Sequence, residues 1–386
     1  MRFITIIGSK TDTMIKKIRF QNYKAFSGQE ELELRPVTLI IGKNSSGKSS
    51  VLKLFPLLTS MINEDNWIPS LNINGVSYGG SYQDLFYNKS NSGLSFGLVY
   101  ENGLALEVEY MNDTDGLHIY RYQLSYAENE QKGQMERQGT FEIPAKAFFT
   151  ANHLSKNDLE VHLDYVGPLR IMAPSNVRFH GFSAKNCVYY DGSGAYDILL
   201  NSYIKKTSLF QEVSNWMESH LEGQRIDFSN SSNNSGNYTL WVKRKGAEVN
   251  IAEVGQGIAQ VLPVITSALS AKVNSINVME QPELHLHPAA HAHVAELIGT
   301  SAKQNHSTFV IESHSKNMLL GFKKMIVDKE VDFNPDDIAI YFVKELEDGS
   351  TLQRIHIDEK GEFDEWPLGV FSESFELTRE INKLLR

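Results

Sequence analysis

The sequence predicts an α/β protein in which a central, mostly parallel sheet carries a phosphate-binding loop, accompanied by an antiparallel β lobe and a helical insert. Three observations predict it. A complete G-x-x-x-x-G-K-[ST] run, Gly42–Ser49, sits between an apolar stretch and a helix-forming one. From Val249 onward the chain alternates strand-like and helix-like segments, the rhythm of an α/β sheet. From Leu94 to Ile143 apolar and polar residues alternate (LSFGLVY, LALEVEY, LHIYRYQLSY) with turn residues between, the pattern of an antiparallel sheet.

Each element follows from its own pattern. Ile15–Phe26 alternates as a strand, Glu30–Leu34 as a second, and Val37–Ile41 is apolar throughout, as a strand buried on both faces is. Met14 offers an alternative start, so residues 1–13 are expected to add little to the fold. Ser50–Leu58 can begin a helix. In Ala195–Leu221 the period changes: Leu199, Tyr203, Phe210, Val213, Met217 and Leu221 share one helical face. Ser229–Asn237 is a polar low-complexity stretch, expected as a hairpin loop or linker. Ile258–Leu269 reads as a helix, and Ser275–Met279 and Thr308–Ile311 as buried strands. The expected organisation is an N-terminal lobe over 1–170 with the phosphate loop and antiparallel sheet, a helical insert and hairpin over 171–250, and a C-terminal lobe over 251–386.

Composition bounds the rest. With 386 residues, 41% hydrophobic and 22% charged, the chain is globular and needs no disulfide or metal staple. Its one cysteine, Cys187, cannot close an internal disulfide, which fits a reducing compartment. No run of 18 apolar residues and no signal-peptide order is present, so a soluble cytoplasmic protein with no membrane contact is expected. Acids exceed bases by 47 to 37, a net charge of −10. That argues against a chain coated in basic charge for nucleic acid and leaves room for a local basic patch.

The chemistry concentrates in three places. In the loop Gly42, Lys43, Asn44, Ser45, Ser46, Gly47, Lys48, Ser49 and Ser50, the glycines let backbone N–H groups turn toward phosphate oxygens. The helix that follows adds partial positive charge. Lys48 is expected to bridge the β- and γ-phosphates, and the Ser49 hydroxyl to ligate Mg²⁺. A shorter fragment, Ile7-Gly8-Ser9-Lys10, is not such a loop. The second place is Glu280-Gln281-Pro282-Glu283 at a strand end, where Glu280 is the carboxylate that Mg²⁺ requires. Four of the twelve histidines follow between His285 and His293. His287 and His291 have the spacing of a zinc helix, but no H-E-x-x-H and no nearby cysteine accompany them, and Pro288 keeps His287 out of helical geometry. A polar loop and helix start is the better reading. The third place is Glu312-Ser313-His314-Ser315, where His314 can report on a γ-phosphate. Asp113-Thr-Asp115-Gly116 reads as a hairpin turn rather than a calcium loop.

The ordered set of Asn22-Tyr23-Lys24-Ala-Phe26, GKNSSGKS, Tyr165-Val-Gly167-Pro168-Leu-Arg170, Glu253-Val-Gly255-Gln256-Gly257-Ile-Ala-Gln260, EQPELHLHP and ESHS resembles the ABC-type ATPase heads of the RecF and OLD group. That resemblance implies a P-loop NTPase fold of ABC type, ATP and Mg²⁺ as cofactors, and a homodimer or higher homo-oligomer sandwiching ATP. Gly255, Gln256 and Gly257 would then face the partner's nucleotide, and Gln83 would be the coupling glutamine that also meets the metal. The chain departs from the pattern in three ways: the signature lacks its serine, Gln83 is only the nearest candidate, and Gln281 stands where a catalytic glutamate is usual. An amide orients water but accepts no proton, so slow hydrolysis, or Glu283 as substitute base, is expected. The 72 residues after His314 are too few for the nuclease domain that OLD proteins carry. The leading expectation is therefore an ATPase that regulates a separately encoded effector, a nuclease or toxin, in bacterial antiphage defence. A DNA-repair ATPase that binds DNA, or a non-hydrolysing ATP-gated scaffold, are the alternatives.

Overall fold

The computed structural model describes residues 14–367 except 65–66, 135–148, 150, 153, 155–158, 183–186 and 231–235, together with Phe371 and Lys383. Residues 1–13 and the run from 135 toward Ile143 lie outside that set. In chain order the strands are β1 (Ile15–Tyr23), β2 (Phe26–Glu33), β3 (Val37–Gly42), β4 (Asn72–Ile73), β5 (Val76–Ser77), β6 (Ser92–Tyr100), β7 (Ala105–Asp113), β8 (Gly116–Tyr126), β9 (Asn129–Gln134), β10 (Leu163–Val166), β11 (Val177–Arg178), β12 (Arg225–Asn230), β13 (Asn237–Arg244), β14 (Ala247–Asn250), β15 (Ile276–Glu280), β16 (Thr308–Glu312), β17 (Ile338–Leu346) and β18 (Gly349–Ile355). The helices are α1 (Lys48–Glu64), α2 (Gly194–Lys205), α3 (Ser208–His220), α4 (Gln256–Leu269), α5 (Pro288–Gln304) and α6 (Lys316–Val327). They divide into two compact units. The first comprises residues 1–35, 44–162 and 343–353, and the second 36–43, 163–342 and 354–386.

The first unit is built on an antiparallel sheet of order β2-β1-β6-β7-β8-β9. Its strands alternate because one face packs on a core and the other meets water. Phe20 faces Phe96 across β1–β6, and Phe96 faces Val108 across β6–β7. Edge-on aromatic pairs, Phe20–Phe26 at 5.1 Å and Tyr23–Phe96 at 5.5 Å, extend that face. The predicted strand Ile15–Phe26 ends early. Asn22 and Lys24 take φ of 52° and 53°, the chain reverses there, and β2 begins at Phe26 rather than Glu30. The turn is held by the Lys24 N–H donating to the Leu85 carbonyl at 2.8 Å. Asp113 and Gly116 close the β7–β8 hairpin, with the Asp113 carboxylate accepting from the Asp115 N–H at 2.8 Å.

The second sheet has the order β10-β15-β16-β3-β17-β18; its strands β10, β15, β16 and β3 lie in the second unit and pair parallel in that order. Parallel strands are covered on both faces, which explains why β15, β16 and most of β3 are buried at every position and largely apolar. Met279, Phe309, Ile311 and Leu39 join Leu262, Ile265, Leu199, Val213, Ile298 and Phe322 from the helices in one buried cluster. The single helical face expected over Ala195–Leu221 is two helices. Lys206 adopts a left-handed φ of 56° and ends α2, and Thr207 then starts α3. The period survives the break because both helices present apolar residues to the same cluster. The polar stretch Ser229–Asn237 joins β12 and β13, which pair antiparallel; residues 231–235 lie outside the described set.

Candidate functional site

The phosphate loop begins at the end of β3 in the second unit and continues into the first, which holds Asn44 through Ser50. Within the first unit the backbone turns at Ser45 (φ 65°) and at Gly47 (φ 106°). A Cβ at Gly47 would come within 3.0 Å of the Ala25 side chain and 3.2 Å of Phe26, and the φ of 106° strains any residue that carries one. The Gly47 carbonyl accepts from the Ser50 and Val51 N–H groups at 3.0 and 3.2 Å, which starts α1 immediately after the loop. Lys48 is the first helical residue and is 4% exposed. The Ser46 carbonyl accepts from the Ser350 hydroxyl at 2.7 Å, while the buried Ser46 hydroxyl has no protein partner. A tight turn through Ser45 and Gly47, an orphaned hydroxyl, a buried lysine and a helix start together suit a polyphosphate.

The acidic strand end is assembled in the second unit. Glu280 closes β15 with 4% exposure, and its Oε1 accepts from the Tyr165 hydroxyl at 2.6 Å. The Tyr190 phenol stands near the same carboxylate. Burial, together with the charges of Glu280 and Glu312, pushes it up to about 12. Gln281 follows at a φ of 45°, with its N–H donating to the Glu312 carbonyl at 2.8 Å. Glu283 is 7% exposed; its Oε1 accepts from the Ser313 hydroxyl at 2.7 Å and the His314 N–H at 3.1 Å, and its Oε2 is buried without a partner. His314 Nε2 lies 3.7 Å from the Glu312 carboxylate. The register of β15 with β16 sets Glu280 opposite Glu312, and the Ser313 N–H donates to Ile40 of β3 at 3.3 Å. Glu280, Gln281, Glu283 and His314 are thus gathered at neighbouring strand ends.

The other expected residues are distributed over both units. Gly255 precedes α4 in extended backbone, with open space around its Cβ position. Gly257 is in the first turn of α4, where a Cβ would meet the His285 carbonyl at 2.7 Å. That glycine therefore has a reason within the chain, apart from any partner. Gln83 sits on a short 3₁₀ turn in the first unit, donating to Asn91 at 3.0 Å. Asp84 beside it accepts from the Gly80 and Ser81 N–H groups at 2.8 and 3.0 Å. His287 caps α5 by accepting from the Ala289 N–H at 3.3 Å, and His291 bonds Ser315 at 2.7 Å and the Leu286 carbonyl at 3.1 Å. Both histidines order the helix start, and among the described residues no group of three metal-ligating side chains forms. No helix among them is long and apolar enough to cross a membrane.

The sequence alone assigns no role to Tyr190, Glu312, Arg170 and Tyr165. The last three stand inside the motifs ESHS and YVGPLR. Tyr190 carried no signal in the sequence at all. Arg170 is 6% exposed, and burial pulls its guanidinium down to about 10 against the opposing charges of Glu283 and Glu280.

A parallel sheet with a phosphate loop after one strand and a buried carboxylate at the end of another defines a nucleotide-binding ATPase domain. Residues 37–320 match the family described as "AAA domain, putative AbiEii toxin, Type IV TA system", and the chain belongs to that family. Residues 333–381 match a second family, described only as a protein of unknown function (DUF3696). No curated protein shows a significant sequence match. Among solved structures, the chain is similar to an SmcHead bound to the C-winged helix domain of ScpA, at 14% identity and a TM-score of 0.47, over 90% of this chain and 98% of that one. An SMC head domain from Thermotoga maritima aligns at 10% identity and a TM-score of 0.41, over 89% and 100% of the two chains. An Smc head domain bound to the C-terminal domain of ScpA derived from Pyrococcus furiosus aligns at 12% identity and 0.41, over 96% and 99%.

Proposed function

We propose that this ATPase is a slow, ATP-gated switch of the RecF and OLD type that controls a separately encoded nuclease or toxin in bacterial antiphage defence. Gly42–Ser50 would cradle the phosphates, with Lys48 on the β- and γ-phosphates. Ser49 and Glu280 would hold Mg²⁺, with Gln83 the candidate third group. When bound, Mg²⁺ neutralises charge on the phosphate oxygens. Two heads would sandwich ATP, each offering Gly255, Gln256 and Gly257 to the other. The family's description as part of a toxin–antitoxin system supports a two-gene context for the effector.

One observation carries the reading of a slow switch. Glu280 is buried and oriented by Tyr165, but the next residue is an amide, whereas Glu283 keeps one buried oxygen without a partner. Gln281 can hold a water by hydrogen bonds and cannot take its proton; Glu283, with an unpartnered buried oxygen, is a carboxylate that can. The test is steady-state phosphate release by the parent, Gln281→Glu and Glu283→Gln. Gln281→Glu should raise turnover by roughly 10- to 100-fold, the lower part of the range for general-base assistance. A parent that already turns over as fast as a motor ATPase rejects the slow switch. If Glu283→Gln abolishes turnover while Gln281→Glu changes nothing, Glu283 is the base. A parent with ATP binding and no turnover selects the scaffold reading, which Gln281 also favours.

A further inference from the structure

The segment Tyr165–Arg170 enters the site twice, once through the Tyr165 hydroxyl on Glu280 and once through Arg170. The guanidinium is buried and spends its donors on backbone carbonyls of three separate segments. Nε donates to Gly167 at 3.1 Å, Nη1 to Gln260 of α4 at 3.2 Å, and Nη2 to Glu280 at 2.8 Å and Gln281 at 2.9 Å. The Gln260 side-chain amide answers by donating to the Arg170 carbonyl at 3.1 Å. Leu169 and Met172, on either side, are 82% and 83% exposed, so Arg170 is the inward anchor of its stretch. Gln281 holds a left-handed φ of 45°, which disfavours a residue with a Cβ, and the Arg170 bond to its carbonyl helps to keep it there.

We infer that Arg170 is a positioning residue that locks helix α4 to the acidic end of β15, so that the placement of α4 sets the backbone at Glu280 and Gln281. Only a planar, forked donor spans these carbonyls; a lysine ammonium reaches one or two of them. The link gives α4, whose N-terminal residues Gly255–Gly257 are proposed to face the partner's nucleotide, a direct mechanical path to the residues that hold the attacking water. This deepens the proposed function and rests on it for the chemistry, while the link itself is a matter of structure.

The test compares the parent with Arg170→Lys, Gln260→Ala and the double variant by three readouts: phosphate release, affinity for a slowly hydrolysed ATP analogue, and amide exchange of the peptide covering 279–286. Arg170→Lys should lower kcat by roughly 10- to 100-fold, the scale of an ångström-sized misplacement, with analogue affinity held within about twofold. Exchange in that peptide should quicken by about tenfold as the local opening becomes easier. Gln260→Ala, a milder change on α4, should move both readouts in the same direction, and the double variant should be no worse than Arg170→Lys because both cut one link. Arg170→Lys and Gln260→Ala with parent-like turnover and parent-like exchange overturn the inference, as does a loss confined to nucleotide affinity. If Arg170→Lys does not fold, Gln260→Ala carries every readout. If the parent itself does not hydrolyse ATP, the proposed function fails, and the exchange of 279–286 in Gln260→Ala alone decides the link.

Discussion

Lys48 spends almost its whole side chain below the surface at the start of α1, and a buried ammonium is tolerated only where anions or carbonyls meet it. Replacing it by alanine should therefore weaken ATP binding by about 3 kcal/mol, roughly a hundredfold, on the usual weight of charge-assisted bonds. Calorimetric titration that returns parent-like affinity would remove the phosphate-loop assignment. Tyr100 offers the opposite case. Its hydroxyl is buried with no partner, so Tyr100→Phe should raise stability to urea by about 1 kcal/mol. Burial also pushes the Tyr100, Tyr23 and Tyr110 phenols above the ordinary value. An unfolded tyrosine ionises near pH 10 while these stay neutral, so folding stability is intact below about pH 10 and falls as the pH rises beyond it. Tyr100→Phe should lose less between pH 9 and pH 11, a difference readable from urea midpoints.

At this same scale the site was partly legible before any coordinates. Gly47, Lys48, Glu280 and Glu283 stood out because each is a polar or glycine residue placed against an apolar strand, which core packing alone never demands. Arg170 and Tyr190 did not, because their roles depend on partners about 90 to 110 positions away. Gly257 was read through its likeness to a signature segment, yet its nearest constraint is the His285 carbonyl, a contact that no spacing rule displays.

Among the elements, strands were read more securely than their ends. β3, β15 and β16 announce themselves as apolar runs, whereas the reversal after Tyr23 rests on Asn22 and Lys24 in left-handed backbone, a conformation that propensity assigns to glycine. The break between α2 and α3 has the same origin at Lys206, in a stretch whose helical period continues on both sides. A non-glycine residue there carries about 1 kcal/mol of strain, so Lys206→Gly should raise the thermal midpoint by about 1 to 2 °C. A lowered midpoint would mean that the lysine side chain, not the backbone, ends the helix.

For the whole molecule the proposed switch predicts a change of mass. ATP with Mg²⁺ should roughly double the mass seen by light scattering, whereas Gly255→Trp should stay single while binding nucleotide to each head within about twofold of the parent. Gly255 is the better probe than Gly257, since its Cβ position opens on empty space and its φ of −56° suits any residue. An unchanged mass in every nucleotide state, for parent and variant alike, would remove the nucleotide-driven dimer.

The division of the chain into two units bears on how it is made. The backbone passes from one unit to the other after residues 35, 43, 162, 342 and 353. The first unit lacks its 343–353 segment, and the second the end of β18, until the ribosome has passed Gln353. Neither can close as an autonomous nascent domain: Ala25 and Glu30 wait for Ser350 and Leu352, which bond them from about three hundred positions further along the chain. Such long-range closure is slow and exposes sticky surface on the way. A fragment cut at residue 320, where the family match ends, would leave both units without strands β17 and β18 and is expected to accumulate in inclusion bodies, whereas chaperone supply should govern the soluble yield of the full chain.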